Sequence, residues 1–175
     1  EKHIVKETDR NWNAIDQLCY LSKNIYNTCL WEIKQHFQET GKFLRYNDMY
    51  HHFREQHADM YYELPANSSQ QTMMLADKSV KGYFKLLRKW KKDNTTLNGK
   101  PNFPHYKDSE DGRQVVVFTI NQAKLKEHAN GEQYIHFPRK ANMEPINTNI
   151  NEKDNLKQVR LVPHSSHYTI EVVYN

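Results

Sequence analysis

The chain has 175 residues and a formal net charge of +4, a length that suits one compact unit or two small ones. Its 37% hydrophobic and 12% aromatic residues suffice for a core, which excludes disorder throughout. No apolar run approaches the ~20 residues that span a bilayer, so we expect no membrane partner. Residues 1–5 contain no signal peptide, which favours an intracellular location: cytoplasm or nucleoid, or the nucleus of a eukaryotic source. Because the chain does not begin with Met, we expect an excised piece of a longer protein.

The first half of the sequence predicts helices after one short strand. Residues 2–6 are typical of an edge strand, and apolar residues keep helical spacing from about residue 9 to residue 39. Gly41 is expected to end that helix. Asn47 or Asp48 is expected to cap a second, shorter helix.

The cysteines and histidines predict no metal site. Cys19 and Cys29 lie about 15 Å apart along the first predicted helix, too far for a disulfide, and indicate core residues in a reducing compartment. The ten histidines show no ligand-pair spacing.

A third helix is predicted from Ser68, because Ser68 and Gln71 have capping-box spacing. Residues at steps of three and four form an apolar stripe: Met73, Ala76, Val80, Tyr83, Phe84, Leu87 and Trp90. Basic residues recur roughly on the opposite side. Between Lys78 and Lys107 there are nine Lys/Arg and one acid, Asp93, so this segment carries +8 and the remainder −4. Such a local field favours a polyanion, most commonly nucleic acid, over an ordinary solvated face, which would mix Glu with Lys.

The second half predicts strands. Residues 108–112 are typical of a turn-rich linker, and residues 141–155 of a polar loop. Strands are expected at 114–120 and 133–137, and a β-hairpin at 157–162 and 168–174. The fold class is therefore α+β, with a helical bundle and a small antiparallel barrel or sheet.

Five motifs in order resemble the transposon-encoded OrfB/TnpB family over nearly the whole chain. LPANSSQQ at 64–71 and DKSVKGYF at 77–84 are similar to the family's LPA…QQ…LD+AF..FF signature. IYNTCL at 25–30 is similar to its VYN..L helix, and FPHYK at 103–107 to its FPRFK element, with His105 where Arg is usual. VFTI at 117–120 and the final hairpin also fit in order and spacing.

The resemblance implies the amino-terminal part of an RNA-guided DNA nuclease, related to compact type V CRISPR effectors. A helical recognition domain, residues 9–112, would be inserted after the first strand of a wedge β-barrel, residues 1–8 and 113–175. The partners would be the guide RNA and the target DNA, including its transposon-adjacent motif, and no small-molecule substrate. The nuclease centre would lie in a RuvC-like domain after the hairpin, the only place where a divalent metal cofactor is expected. The chain is therefore expected to bind and not to cut.

The resemblance also implies site residues. Residues assigned to the DNA motif are Tyr46, Asn67, Gln70, Gln71 and Thr119. The charge of the basic residues, and not the resemblance, assigns a second set to phosphates: Lys78, Lys81, Lys85, Arg88, Lys89, Lys92, Lys107 and Arg139. Structural roles stay open beside these assignments, namely a capping Gln70, a core Tyr46 and a sheet-filling Thr119. The acidic residues Asp108, Glu110 and Asp111 indicate a solvated linker and not a two-metal site.

Two other functions remain open. A nuclease-dead relative would act as a DNA-binding repressor, and a protein-interaction domain would present the basic face to an acidic partner.

Overall fold

Four α-helices and seven β-strands are present in the described part of the chain, residues 1–151 and 153–175 of a computed structural model. The helices are α1 (Trp12–Thr40), α2 (Tyr46–Gln56), α3 (Ala58–Glu63) and α4 (Ala66–Lys92). The strands are β1 (Lys2–Val5), β2 (Val116–Thr119), β3 (Lys124–Glu127), β4 (Gln133–His136), β5 (Ile146–Asn147), β6 (Leu156–Pro163) and β7 (Tyr168–Tyr174). A short 3-10 helix spans Arg139–Ala141. The predicted α+β class is confirmed.

The strands form two antiparallel sheets, in the orders β1-β7-β6-β2 and β3-β4-β5. The predicted hairpin is confirmed as β6–β7. Strand β1 pairs with β7, from Lys2 opposite Glu171 to Val5 opposite Tyr168. In chain order, the four helices therefore come between the first strand and the other strands of its sheet. No closed barrel is found among the described residues, because the larger sheet ends at β1 and β2. The barrel and the domain boundaries stay predictions.

One hydrophobic cluster contains residues of both halves of the chain. Ile25 of α1 and Val80 of α4 belong to it, together with Val116 of β2 and Leu161 of β6, all fully buried. Cys19 and Cys29 are also buried and free, and burial raises the pKa of both thiols. The helices and the larger sheet therefore share a core.

Several helix ends differ from the prediction. Gly41 ends α1 as expected, with a left-handed φ of 70° and its N–H bonded to the Phe37 carbonyl. Helix α2 begins at Tyr46 after Arg45, so the predicted Asn47 or Asp48 cap is wrong. Helix α4 begins at Ala66, and the predicted capping box is wrong because the Ser68 hydroxyl donates to a strand carbonyl.

Short elements were missed by periodicity. Helix α3 has 6 residues, β3 has 4 and β5 has 2. Helix α3 and strand β5 hold too few residues to show a hydrophobic period, and β3 contains one apolar residue, Leu125. Strand β5 lies within the segment predicted as a polar loop, and Glu152 of that segment lies outside the described residues.

The apolar stripe of α4 is buried over only half of its length. Met73, Ala76 and Val80 are fully buried, whereas the stripe from Tyr83 onward is half-buried. The carboxyl-terminal half of α4 therefore presents aromatic side chains near the surface. None of the helices among the described residues has the length and apolar character needed to cross a membrane.

Helix hydroxyls donate to two carbonyl groups at β2, that of Val117 within the strand and that of Val115 just before it. The Ser22 Oγ of α1 donates to the Val115 carbonyl at 2.9 Å, and the Ser68 Oγ of α4 donates to the Val117 carbonyl at 2.8 Å. The Thr72 hydroxyl lies 2.8 Å from Ser22 Oγ and must donate to it, since the Ser22 proton is already engaged. Both serines and Thr72 are buried. These bonds dock α1 and α4 onto the strand.

We predict that Ser68→Ala lowers the free energy of unfolding by about 1–3 kcal/mol, because the Val117 carbonyl loses its buried donor. Urea unfolding at neutral pH measures this change. The matched control is Ser165→Ala, in the exposed β6–β7 turn, which should stay within about 0.5 kcal/mol of the parent. Equal midpoints for the two variants would contradict the prediction.

Candidate nucleic-acid interface

Six basic residues of α4 form one exposed stripe along the helix. At about 100° per residue they occupy a sector of roughly 100°. This α4 basic stripe consists of Lys78, Lys81, Lys85, Arg88, Lys89 and Lys92, all exposed. Lys89 and Lys92 also lie in the last turn, where cations interact favourably with the helix dipole. The predicted phosphate residues of α4 therefore share one surface.

One member of the stripe is neutralised. Lys81 Nζ lies 2.9 Å from Asp77 Oδ2, an acid one residue before the segment whose charge was counted. Among the described residues, the other five form no ion pair. Those five charges are available to an external anion.

A depression of about 540 Å³, here called the Phe pocket, opens beside the carboxyl-terminal half of the stripe. It is lined by Phe37, Phe43, Phe84, Lys81, Lys85 and Arg88. The Phe84 ring centroid lies 5.2 Å from that of Phe37 and 5.9 Å from that of Phe43, at interplanar angles of 50° and 87°. The left-handed Gly41 turns the chain between Phe37 and Phe43. The three rings therefore come from three elements: one from α1, one from the segment between α1 and α2, and one from α4.

A second depression of about 570 Å³, the sheet groove, lies between α4 and the larger sheet. Gln71, Met74, Leu75 and Lys78 line its helix side. Val115, Val117, Gln158, Arg160, Val162 and Glu171 line its sheet side. Alternation along the strands places these side chains on the face opposite the core. Arg160 Nη1 and Glu171 Oε2 lie 3.8 Å apart within the groove. Of the two cations that line the groove, Lys78 is therefore the one without an acidic partner among the described residues.

Tyr46, Tyr50 and Tyr61 form a tyrosine cluster, which the Gln70 side chain contacts. Gln70 Nε2 donates to the Tyr61 hydroxyl at 2.9 Å, and Tyr61 is buried. Tyr46 is half-buried and stacks on Tyr50 with a centroid distance of 6.2 Å. Burial, with Tyr50 and Tyr61 nearby, raises the pKa of Tyr46 to about 12. These two side chains are therefore held within the helical part.

The remaining DNA-motif residues lie elsewhere. Asn67 is half-buried in the first turn of α4. Thr119 ends β2, and its Oγ1 is buried without a hydrogen-bond partner in the described structure. Its N–H donates to Gln122 Oε1 at 3.2 Å, an oxygen that also lies 3.2 Å from Ser68 Oγ. The five predicted residues therefore do not all line one depression, and Gln71 is the one that lines the sheet groove.

Lys107 and Arg139 line neither depression. The Asn27 side chain bonds both backbone groups of Lys107 at 2.8 Å, which holds this exposed residue on α1. Arg139 is exposed at the start of the 3-10 helix.

The predicted acidic linker is a turn. Asp108 Oδ1 accepts the N–H groups of Asp111 and Glu110, and these bonds lower the pKa of Asp108. No group of three or more His, Cys, Asp or Glu side chains placed to hold a metal ion is found within residues 1–151 and 153–175.

The Phe pocket was missed at the level of sequence. Phe37 and Phe84 were assigned to apolar helix faces, yet Phe37 is 41% exposed and Phe84 half-buried. The signal that could have identified the pocket is the alternation of aromatic and basic residues in KGYFKLLR, residues 81–88.

Comparison with known proteins does not assign the chain to a family. No family model matches it, and no curated protein matches it at a significant level.

The two adjacent glutamines are expected to differ in their effect on stability. Gln70→Ala removes the donor to the buried Tyr61 hydroxyl and should lower the free energy of unfolding by about 1 kcal/mol. Gln71→Ala, the matched control, should change it by less than about 0.5 kcal/mol, because this side chain lines an open groove. Chemical denaturation measures both variants. A larger loss for Gln71→Ala would refute this division of roles.

Proposed function

We propose that the chain binds nucleic acid through the α4 basic stripe, as the recognition and wedge part of a TnpB-like RNA-guided protein. The observation that carries the proposal is the stripe itself, with five exposed cations lacking an acidic partner in the described structure. The sheet groove, with polar and apolar lining residues, borders the stripe at Lys78, and the Phe pocket borders it from Lys81 to Arg88.

The dimensions of the stripe suit a nucleic-acid backbone. From Lys78 to Lys92 it runs about 21 Å along the helix, close to the rise of about six base pairs. Lys and Arg side chains that meet phosphates release condensed counterions, which makes the affinity strongly dependent on salt. The stripe would therefore supply affinity and orientation, but no sequence discrimination.

Base reading is assigned to the sheet groove. The Gln71 amide lines this groove beside Lys78, and a glutamine can bond the edge of adenine through two hydrogen bonds. The Gln70 amide nitrogen is already engaged with Tyr61. We therefore favour Gln71 for base contact and Gln70 for holding the tyrosine cluster in place.

The TnpB-like part of the proposal is supported by motif order and by topology. The helices follow β1, and β1 pairs with β7 after the intervening strands. This agrees with a recognition unit inserted after the first strand of a wedge. On this proposal the partners are a guide RNA and a target DNA, and cleavage belongs to a RuvC-like domain of a longer protein.

Reversing three charges of the stripe should weaken binding of structured RNA and duplex DNA about tenfold or more, because three phosphate contacts become repulsive. The variant Lys78→Glu, Lys85→Glu, Lys92→Glu avoids Lys81, whose charge Asp77 already pairs. Fluorescence anisotropy over a salt series should show a slope of log Kd against log salt that is smaller by about three.

The control for this experiment has the same net charge. Lys6→Glu, Lys124→Glu, Lys126→Glu changes three exposed lysines outside the stripe and both depressions. It should lose less affinity and keep most of the salt slope. If the two triple variants lose the same amount of affinity, binding depends on net charge alone and not on the stripe. Absence of binding by the parent chain at low salt would favour an acidic protein partner instead.

A guide-dependent protein should select its RNA. When the chain is purified at low salt, we expect the copurifying RNA to be enriched in one structured species, because a defined scaffold offers more contacts than random RNA. Sequencing of this RNA beside total cellular RNA measures the enrichment. If the copurifying RNA has the same composition as total cellular RNA, the guide-dependent part of the proposal is wrong, and only general nucleic-acid binding is supported.

A further inference from the structure

The Phe pocket combines aromatic and cationic groups and contains no acid among its lining residues. Phe37 presents 41% of its surface to solvent, and Lys85 and Arg88 form no ion pair within the described part of the chain. Its volume of about 540 Å³ lies in the range of small-ligand sites, about 300–1,000 Å³. A ligand of this pocket would therefore be flat, apolar over its faces and anionic at its rim.

We infer that the Phe pocket takes a single unpaired base of a bound strand, with the flanking phosphates held by Lys85 and Arg88. This inference rests on the proposed nucleic-acid binding and goes beyond it, because it names a subsite and the state of the nucleotide that enters.

Ring geometry favours a base. Phe37 and Phe43 meet Phe84 at 50° and 87°, so the three rings line the depression and do not stack into a closed column. A planar base can then stack on one ring and meet the edge of another. A cationic ligand is disfavoured, since Lys85 and Arg88 would repel it.

The stripe favours a nucleotide of a strand over a free nucleotide. Lys78 and Lys92 lie about 10 Å before and beyond Lys85 along the helix. Only a polymer can reach these cations while one of its bases occupies the pocket. The base must also be unpaired, because the faces of a base inside a duplex are covered by its neighbours.

Trp31 provides a matched control. It lies on α1 like Phe37, and it is 50% exposed. Its depression is lined by the acids Glu32, Glu39 and Asp48, which would repel a phosphate. Removing the Trp31 ring should therefore leave nucleic-acid binding unchanged.

The experiment compares two RNA duplexes that differ only by one bulged 2-aminopurine. Fluorescence anisotropy gives the affinity for each duplex, and quenching of 2-aminopurine reports stacking. The tested proteins are the parent chain, Phe37→Leu with Phe43→Leu, and Trp31→Leu. Leucine keeps apolar volume and removes the ring. Phe37→Leu alone serves as a second variant, because Phe37 is partly exposed and the fold depends less on it.

The parent and Trp31→Leu should prefer the bulged duplex by about 5- to 100-fold and quench the probe. The Phe variants should lose the preference and the quenching, while their affinity for the perfect duplex and their salt slope stay unchanged. Millimolar AMP should not displace the bulged duplex.

Three outcomes would overturn the inference in distinguishable ways. If the parent binds both duplexes equally, or if the Phe variants keep the preference, the Phe pocket is not a base subsite and the proposed function still stands. Displacement by AMP assigns the pocket to free nucleotides. If the parent binds neither duplex, both the proposed function and the base subsite are wrong.

Discussion

The structure depends on hydrogen bonds that helix hydroxyls donate to the carbonyl groups of Val117 in strand β2 and of Val115 just before it. This strand is the edge of the larger sheet, yet it is covered by α1 and α4, so carbonyls not bonded to β6 need buried donors. Ser22 and Ser68 supply them, and Thr72 joins the two helices through Ser22. An unsatisfied carbonyl here would cost about 1–3 kcal/mol, so the position of α4 on the sheet is strongly constrained.

That position determines where the candidate binding surfaces lie. Because the amino-terminal half of α4 is bonded to β2, Met73 and Val80 enter the core, and Gln71 and Lys78 line the sheet groove. The carboxyl-terminal half meets the end of α1 and the segment after Gly41. The same helix therefore places the sheet groove and the Phe pocket beside one line of cations.

Long periodic segments were predictable from sequence, and single contacts were not. Helices α1 and α4 and the β6–β7 hairpin follow from local apolar spacing, which the final fold preserves. The Ser68 cap was wrong because a serine hydroxyl can bond its own helix or a distant carbonyl, and the carbonyl of Val117 is 49 residues away. The Asp77–Lys81 pair was missed because the charge count began at Lys78. The exposure of Phe37 depends on where α1 ends relative to α4, a property of packing and not of spacing.

Adjacent residues with the same side chain acquire different roles through helix geometry. Gln70 and Gln71 project about 100° apart, so one amide binds Tyr61 and the other lines the sheet groove. A single free amide can distinguish few base pairs, and the cations beside it distinguish none. A protein with this surface would bind nucleic acid firmly but read little sequence by itself. On the proposed function, base pairing by a guide RNA supplies the missing discrimination, so a surface rich in affinity and poor in base contacts is what such a protein requires.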